Sequence, residues 1–162
     1  MCLLLGATGV GKTLLLKRLQ KLCQRGDPDD LGEPPATLPT VGTNLIDLTL
    51  RKKRVTVREL GGCMGPIWPS YFSGCTSVII SSSCIQLLCV LSAEPLRSTS
   101  VLVLFNKSDL SCTMSLEEMK SLFRMDDIIA SAPQSITVLE LSARSGKGLQ
   151  EVLNWLNSKQ PD

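Results

Sequence analysis

Eight residues near the start, Gly6-Ala7-Thr8-Gly9-Val10-Gly11-Lys12-Thr13, spell G-x-x-x-x-G-K-T directly after the apolar run Cys2-Leu3-Leu4-Leu5. The pattern demands a short buried strand, a glycine-rich loop and a helix, in that order. The helix is written in the leucines that follow, Leu15, Leu16, Leu19 and Leu22, which share one face. Glycines let successive backbone N–H groups turn inward around an anion, and the helix N-terminus adds its partial positive charge. Residues 6–13 are therefore candidate phosphate ligands. Lys12 supplies a full charge at the β- and γ-phosphates, and Thr13 a hydroxyl for Mg²⁺.

The 162 residues fit one domain spanning 1–162. Alternating strands and helices with glycine-rich loops predict an α/β fold: a mostly parallel sheet with helices on both faces. Strands are expected at 1–5, 44–50, 55–60, 78–80, 101–105 and 136–141, and helices at 12–23, 71–76, 84–91, 115–123 and 149–156. Ser115-Leu116-Glu117-Glu118 is a capping box. Residues 24–39, with Pro28, Pro34, Pro35 and Pro39, read as a long loop of the kind that usually serves function. Residues 61–69 read as a second irregular loop. Arg51-Lys52-Lys53-Arg54 fits the tip of a hairpin, where a solvated turn is a simpler reading than a lipid contact.

Composition removes several classes of function. With no histidine, Ser-His-Asp and Cys-His catalysis and all histidine metal sites are excluded. A net charge of +2 gives no field to recruit nucleic acid or membrane. Seven cysteines, an odd number without a C-x-x-C pair, suit free thiols in a reducing compartment. No apolar run is long enough to span a membrane, and the apolar start suits no signal peptide.

The base is chosen elsewhere. Asn106-Lys107-Ser108-Asp109 follows the strand at 101–105. A carboxylate at Asp109 accepts from guanine N1–H and the exocyclic amine, whereas adenine offers it no donors there. Asn106 can bind the base edge or tie its loop to the phosphate loop, and the Lys107 stem can cover the purine. Ser142-Ala143 ends the last strand, where the Ala143 N–H can donate to guanine O6. The middle loops offer γ-phosphate sensors. Thr40 can ligate Mg²⁺ and phosphate, Glu59 can hold the Mg²⁺ shell through water, and the Gly62 N–H can meet the γ-phosphate.

Taken together, GATGVGKT at 6–13, PTVGTN at 39–44, ELGG at 59–62, WPSYF at 68–72, NKSD at 106–109 and SAR at 142–144 make the chain resemble a small GTPase of the ADP-ribosylation factor-like group. The resemblance spans nearly the whole chain. It implies the P-loop small-GTPase fold with one antiparallel edge strand, binding of GTP/GDP with Mg²⁺, and protein partners recruited in the GTP state. The partner surface would be Thr40 to Asn44, the hairpin near Arg51 and Arg54, and Trp68, Tyr71 and Phe72. Trp68 is expected to be exposed for contact, while Tyr71 and Phe72 suit core and contact equally.

Three departures qualify it. Relatives have Asp where this chain has Glu59, and usually Gln where it has Cys63. A thiol is a weak donor and acceptor, so no catalytic residue is assigned and intrinsic hydrolysis should be slow. Relatives begin with an amphipathic helix and a myristoylated glycine, and this chain opens Met1-Cys2. A cytoplasmic monomer that reaches membranes only through partners is the expectation. Finally, the central strand after Ser77 looks clipped by about a dozen residues relative to the family, with Ser81, Ser82 and Ser83 where apolar residues belong. A module that recognises partners without nucleotide is therefore an alternative. An ATP-dependent kinase is a weaker one, because its arginine-rich lid is missing.

Overall fold

Alternate residues of β1 (Cys2–Leu5) face opposite layers. Cys2 and Leu4 join one buried cluster, Leu3 and Leu5 the other, and all four are 0% exposed. A strand buried on both faces needs helices on both faces. The structure, a computed structural model, describes residues 1–81, 84–107 and 114–159. Ser82, Ser83, Ser108, Asp109 and Cys112 lie outside the described residues.

The sheet has six strands in the order β2-β3-β1-β4-β5-β6. β2 (Thr43–Leu50) runs antiparallel to β3 (Lys53–Leu60), and β1, β4 (Ser77–Ile80), β5 (Ser100–Phe105) and β6 (Ser135–Glu140) are parallel. This is the expected architecture, with the antiparallel strand at the edge. Helices α1 (Lys12–Arg25) and α5 (Leu149–Ser158) cover one face through Leu15, Leu19, Val152 and Leu156. Helix α2 (Cys84–Leu91) and the short α3 (Leu116–Leu122) and α4 (Met125–Ser131) lie on the other, where Leu87, Val90 and Met125 are buried. Each such side chain contributes about 1.5–3 kcal/mol by leaving water.

Several boundaries shift for identifiable reasons. Helix α1 continues to Arg25 because Gly26 closes it, donating its N–H to the Leu22 carbonyl at 2.8 Å. The hairpin turns on Arg51 and Lys52 alone. Lys53 and Arg54 already belong to β3, opposite Leu50 and Thr49, and Arg54 pairs with Asp47 across the strands. The capping box forms at Ser115 and Glu118. Helix α4 was not expected, being too short at seven residues to display a helical period. The expected helix at 71–76 does not form. Instead, Gly62–Tyr71 winds as a 3₁₀ segment through Pro66 and Pro69.

The clipped strand closes the sheet all the same. β4 pairs with β1 from Cys2↔Ser77 to Leu5↔Ile80 and with β5 from Ser77↔Ser100 to Ile80↔Val103. The Ser81 N–H adds a bond to the Leu5 carbonyl at 2.9 Å. β1 is itself four residues long, so a four-residue neighbour satisfies it. The cost falls on β5, whose Leu104 and Phe105, among the described residues, pair with β6 alone and line a cleft beside Thr8 and Ser81.

Candidate functional site

The loop between β1 and α1 lies at the carboxyl ends of the parallel strands, where open α/β sheets hold ligands. Lys12 is 6% exposed and folds back over its own loop, its Nζ donating to the carbonyls of Gly6 and Ala7 at 2.8 Å each. Burial holds this ammonium below the ordinary lysine pKa, and the Glu59 carboxylate partly restores it. A cleft of about 270 Å³ opens here, lined by Thr8, Gly9, Lys12, Thr13, Thr40 and Gly62 among others.

Glu59 organises the floor of that cleft. The residue is buried, and its Oε1 accepts from Thr13 Oγ1 at 2.5 Å and from Thr40 Oγ1 at 3.3 Å. Its Oε2 accepts from Asn44 Nδ2 at 3.0 Å. The two threonine hydroxyls lie 2.8 Å apart. Three oxygen-bearing side chains from α1, the loop before β2 and the end of β3 thus meet at one point. An all-oxygen set of this kind suits a hard cation such as Mg²⁺. No cluster of three or more His, Cys, Asp or Glu side chains suited to a metal occurs among the described residues. An ion here would rest on hydroxyls, one carboxylate and its ligand's own oxygens.

Gly62 sits hard against the phosphate loop. A Cβ there would lie 2.2 Å from the Thr8 nitrogen and 2.5 Å from the Ala7 carbonyl carbon, so only glycine allows this approach. Gly61 donates to the Gly42 carbonyl at 2.9 Å and accepts from Trp68 Nε1 at 3.1 Å. Trp68 is therefore not the exposed contact expected from sequence: at 4% exposure it is core, as is Phe72. Its indole fills the space under the 3₁₀ segment and uses its one donor to hold Gly61. Tyr71 is half-buried, its ring under the Arg58 guanidinium at 5.6 Å. Cys63 is exposed, with its thiol free.

On the other flank, Asn106 makes the tie that was one of its two expected roles. Its Nδ2 donates to the Val10 carbonyl at 2.8 Å, and its Oδ1 accepts from the amides of Lys107 at 2.7 Å and Ala143 at 3.1 Å. The Ala143 amide, expected to face a base oxygen, thus already has a partner. Lys107 is exposed with φ +67°, and its loop leaves the sheet there. Ser142 is fully buried, its Oγ accepting from the Ser145 amide at 3.1 Å. Asp109, the expected guanine ligand, lies outside the described residues.

Two contributors escaped the sequence reading. Asn44, expected only as part of a partner surface, is exposed and also supports Glu59. Arg18 is 3% exposed and, among the described residues, bonds four backbone carbonyls. Its signal was a charge on the apolar stripe of α1, three residues after Leu15 and four before Leu22.

Comparison with known proteins agrees with this geometry. A model of the ADP-ribosylation factor family matches residues 1–160. The chain is 60% identical over 168 aligned residues to human ADP-ribosylation factor-like protein 16, covering 98% of this chain and 85% of that protein. It is 29% identical over 168 residues to ADP-ribosylation factor-like protein 1 of Drosophila melanogaster, covering 96% and 86%. Among solved structures it is similar to the Arl6 small GTPase of Trypanosoma brucei with the bound nucleotide analogue GppNp, with a TM-score of 0.78. That likeness covers 97% of this chain and 94% of the other at 18% identity, so it speaks to the fold alone.

Proposed function

This chain belongs to the ADP-ribosylation factor family of small GTPases, and we propose that it is a guanine-nucleotide switch that binds GTP or GDP with Mg²⁺ and recruits protein partners in the GTP state. The observation that carries this reading is the convergence of Lys12 and Thr13 from α1, Thr40 from the loop before β2 and Gly62 from the segment after β3 on one cleft at the carboxyl ends of the strands. The backbone amides of residues 6–13 cradle the phosphates. Lys12 exchanges its two carbonyl partners for phosphate oxygens. Thr13, Thr40 and Glu59 would hold the cation, which when bound neutralises phosphate charge. Asn106, Lys107, Asp109, Ser142 and Ala143 take the guanine.

Thr40 and Gly62 respond to the γ-phosphate and carry the neighbouring surface with them. That surface displays the apolar side chains of Leu38 at 86% exposure, Val41 at 90%, Leu45 at 55% and Ile67 at 48%, which suit protein partners. The half-buried Tyr71 lies under Arg58, which stands opposite Leu45, whereas the hairpin tip at Arg51 and Lys52 lies at the far end of β2 and β3. No helix among the described residues is long and apolar enough to cross a membrane.

Thermal unfolding tests the reading. Saturating GTP or GDP with Mg²⁺, at about 100 times Kd, should add about 2.7 kcal/mol and raise Tm by about 5–10 °C. ATP should add nothing. Stabilisation by ATP in preference to GTP would reverse the choice of base, and no response to any nucleotide would favour a nucleotide-free interaction module.

Hydrolysis by the chain alone is slow in this reading, because Cys63 cannot both donate to and accept from an attacking water as a glutamine amide does. Cys63→Gln should raise single-turnover GTP hydrolysis on the order of tenfold or more. Rapid hydrolysis by the unmodified chain would defeat the assignment.

A further inference from the structure

Arg18 stands apart from the other arginines. It projects from α1 into the buried layer, and four of its N–H groups end on four backbone carbonyls of two different loops. Nε donates to Ala143 at 3.0 Å and Nη2 to Arg144 at 2.8 Å. Nη1 donates to both Leu31 and Gly32 at 3.0 Å. Lys21 Nζ reaches the same Leu31 carbonyl at 2.5 Å. A guanidinium holds five donors in a rigid plane, so it can span two loops at once, where an ammonium is a point with three donors. The first pair of carbonyls belongs to the turn after β6, and the second to the start of the loop that leads to Thr40.

We infer that Arg18 is a positioning residue for nucleotide recognition, a clamp that sets the aim of the Ala143 amide and joins the base-facing loop to the loop carrying Thr40. The inference rests on the guanine reading of the Ala143 loop given above. Ala143 is held from two sides, by Asn106 Oδ1 accepting its N–H and by Arg18 donating to its carbonyl in the next peptide unit. A guanine O6 arriving there shares a donor that is already aimed. Without the fork, the loop's carbonyls turn to water and the amide loses its direction. Contacts on the far side of the base, and those of Lys12 and the amides of residues 6–13 to the two phosphates of GDP, do not pass through Arg18.

The test compares GDP with 2-aminopurine riboside 5′-diphosphate, which keeps the exocyclic amine and the phosphates but lacks O6 and, with it, the N1–H; the N1–H loss is common to every variant, so the change in preference between variants reads the O6 contact. Affinities are measured for the full chain and for Arg18→Ala and Arg18→Lys, alongside their thermal unfolding. The unmodified chain should prefer GDP. Arg18→Ala should lower that preference by about tenfold, the factor carried by one well-aimed hydrogen bond, with the analogue's affinity changed by less than about twofold. Arg18→Lys should fall between. A purely structural role would instead weaken both ligands alike. If Arg18→Ala does not fold, Arg18→Lys carries the same comparison. An unmodified chain that binds both equally overturns the guanine reading and the clamp together. A preference that the folded variants keep in full overturns the clamp alone.

Discussion

Replacing Lys12 with methionine should weaken GDP and GTP binding by about 100-fold or more, while the chain stays folded. The ammonium is 6% exposed at the mouth of the phosphate loop and carries two 2.8 Å bonds to the Gly6 and Ala7 carbonyls. Those bonds show where the charge waits. Charge-assisted bonds to phosphate are about twice as strong as neutral ones, and two of them at about 1.5–3 kcal/mol each correspond to two or more orders of magnitude in Kd. Methionine keeps the unbranched apolar stem, so the packing of α1 survives. The released carbonyls border the open cleft and can take water. Titration with a fluorescent GDP analogue, with circular dichroism as the check on folding, measures the effect. Affinity within tenfold of the unmodified chain would falsify the assignment of Lys12 to phosphate.

Gly62→Ala should separate the two nucleotides. The added methyl would lie 2.2 Å from the Thr8 nitrogen, 2.5 Å from the Ala7 carbonyl carbon and 2.7 Å from Thr8 Oγ1. Two of these are backbone atoms of the phosphate loop, so no rotamer change relieves the contact and the segment beginning at Gly61 must retreat. The Gly61 bond to Gly42 and the Trp68 bond to Gly61 resist that retreat. GDP needs none of this segment in the proposed function, whereas the γ-phosphate needs the Gly62 amide. Affinity for a non-hydrolysable GTP analogue should therefore fall at least about tenfold further than affinity for GDP, the value of one hydrogen bond to a charged group. Equal losses for both nucleotides would show that Gly62 serves the loop's packing and not the third phosphate.

How much of this could be read from the chain depends on the range of the interaction. The phosphate loop, the helix behind it and the capping box at Ser115 are patterns within a few residues, and they form where expected. The six strands and the hairpin follow from apolar runs and turn chemistry in the same way, while the place of the antiparallel strand at the edge came from the family resemblance. Trp68 was misjudged because it falls, between two prolines, in a segment that reads as an irregular loop. Only the space beneath Gly61, enclosed by β3 and the apolar side chains of α2, makes it core. The fate of the short central strand turned on its neighbour. Four residues suffice because β1 is also four residues long, which concerns pairing and not composition. Arg18 and Asn44 escaped for the same reason, since their partners lie 125 and 15 residues away.

By itself, the sequence determined a short strand, a glycine-rich loop and a helix whose pattern suits phosphate, and motifs after β3, β5 and β6 that suit a guanine nucleotide. Those statements rest on local chemistry: glycine torsions, donor and acceptor types, the period of a helix. The tertiary structure decided that Glu59 closes on Thr13 and Thr40, that Trp68 braces Gly61 from within, and that one guanidinium spans two loops. Such contacts join residues distant along the chain. Their geometry exists only once the parallel sheet has brought the strand ends side by side.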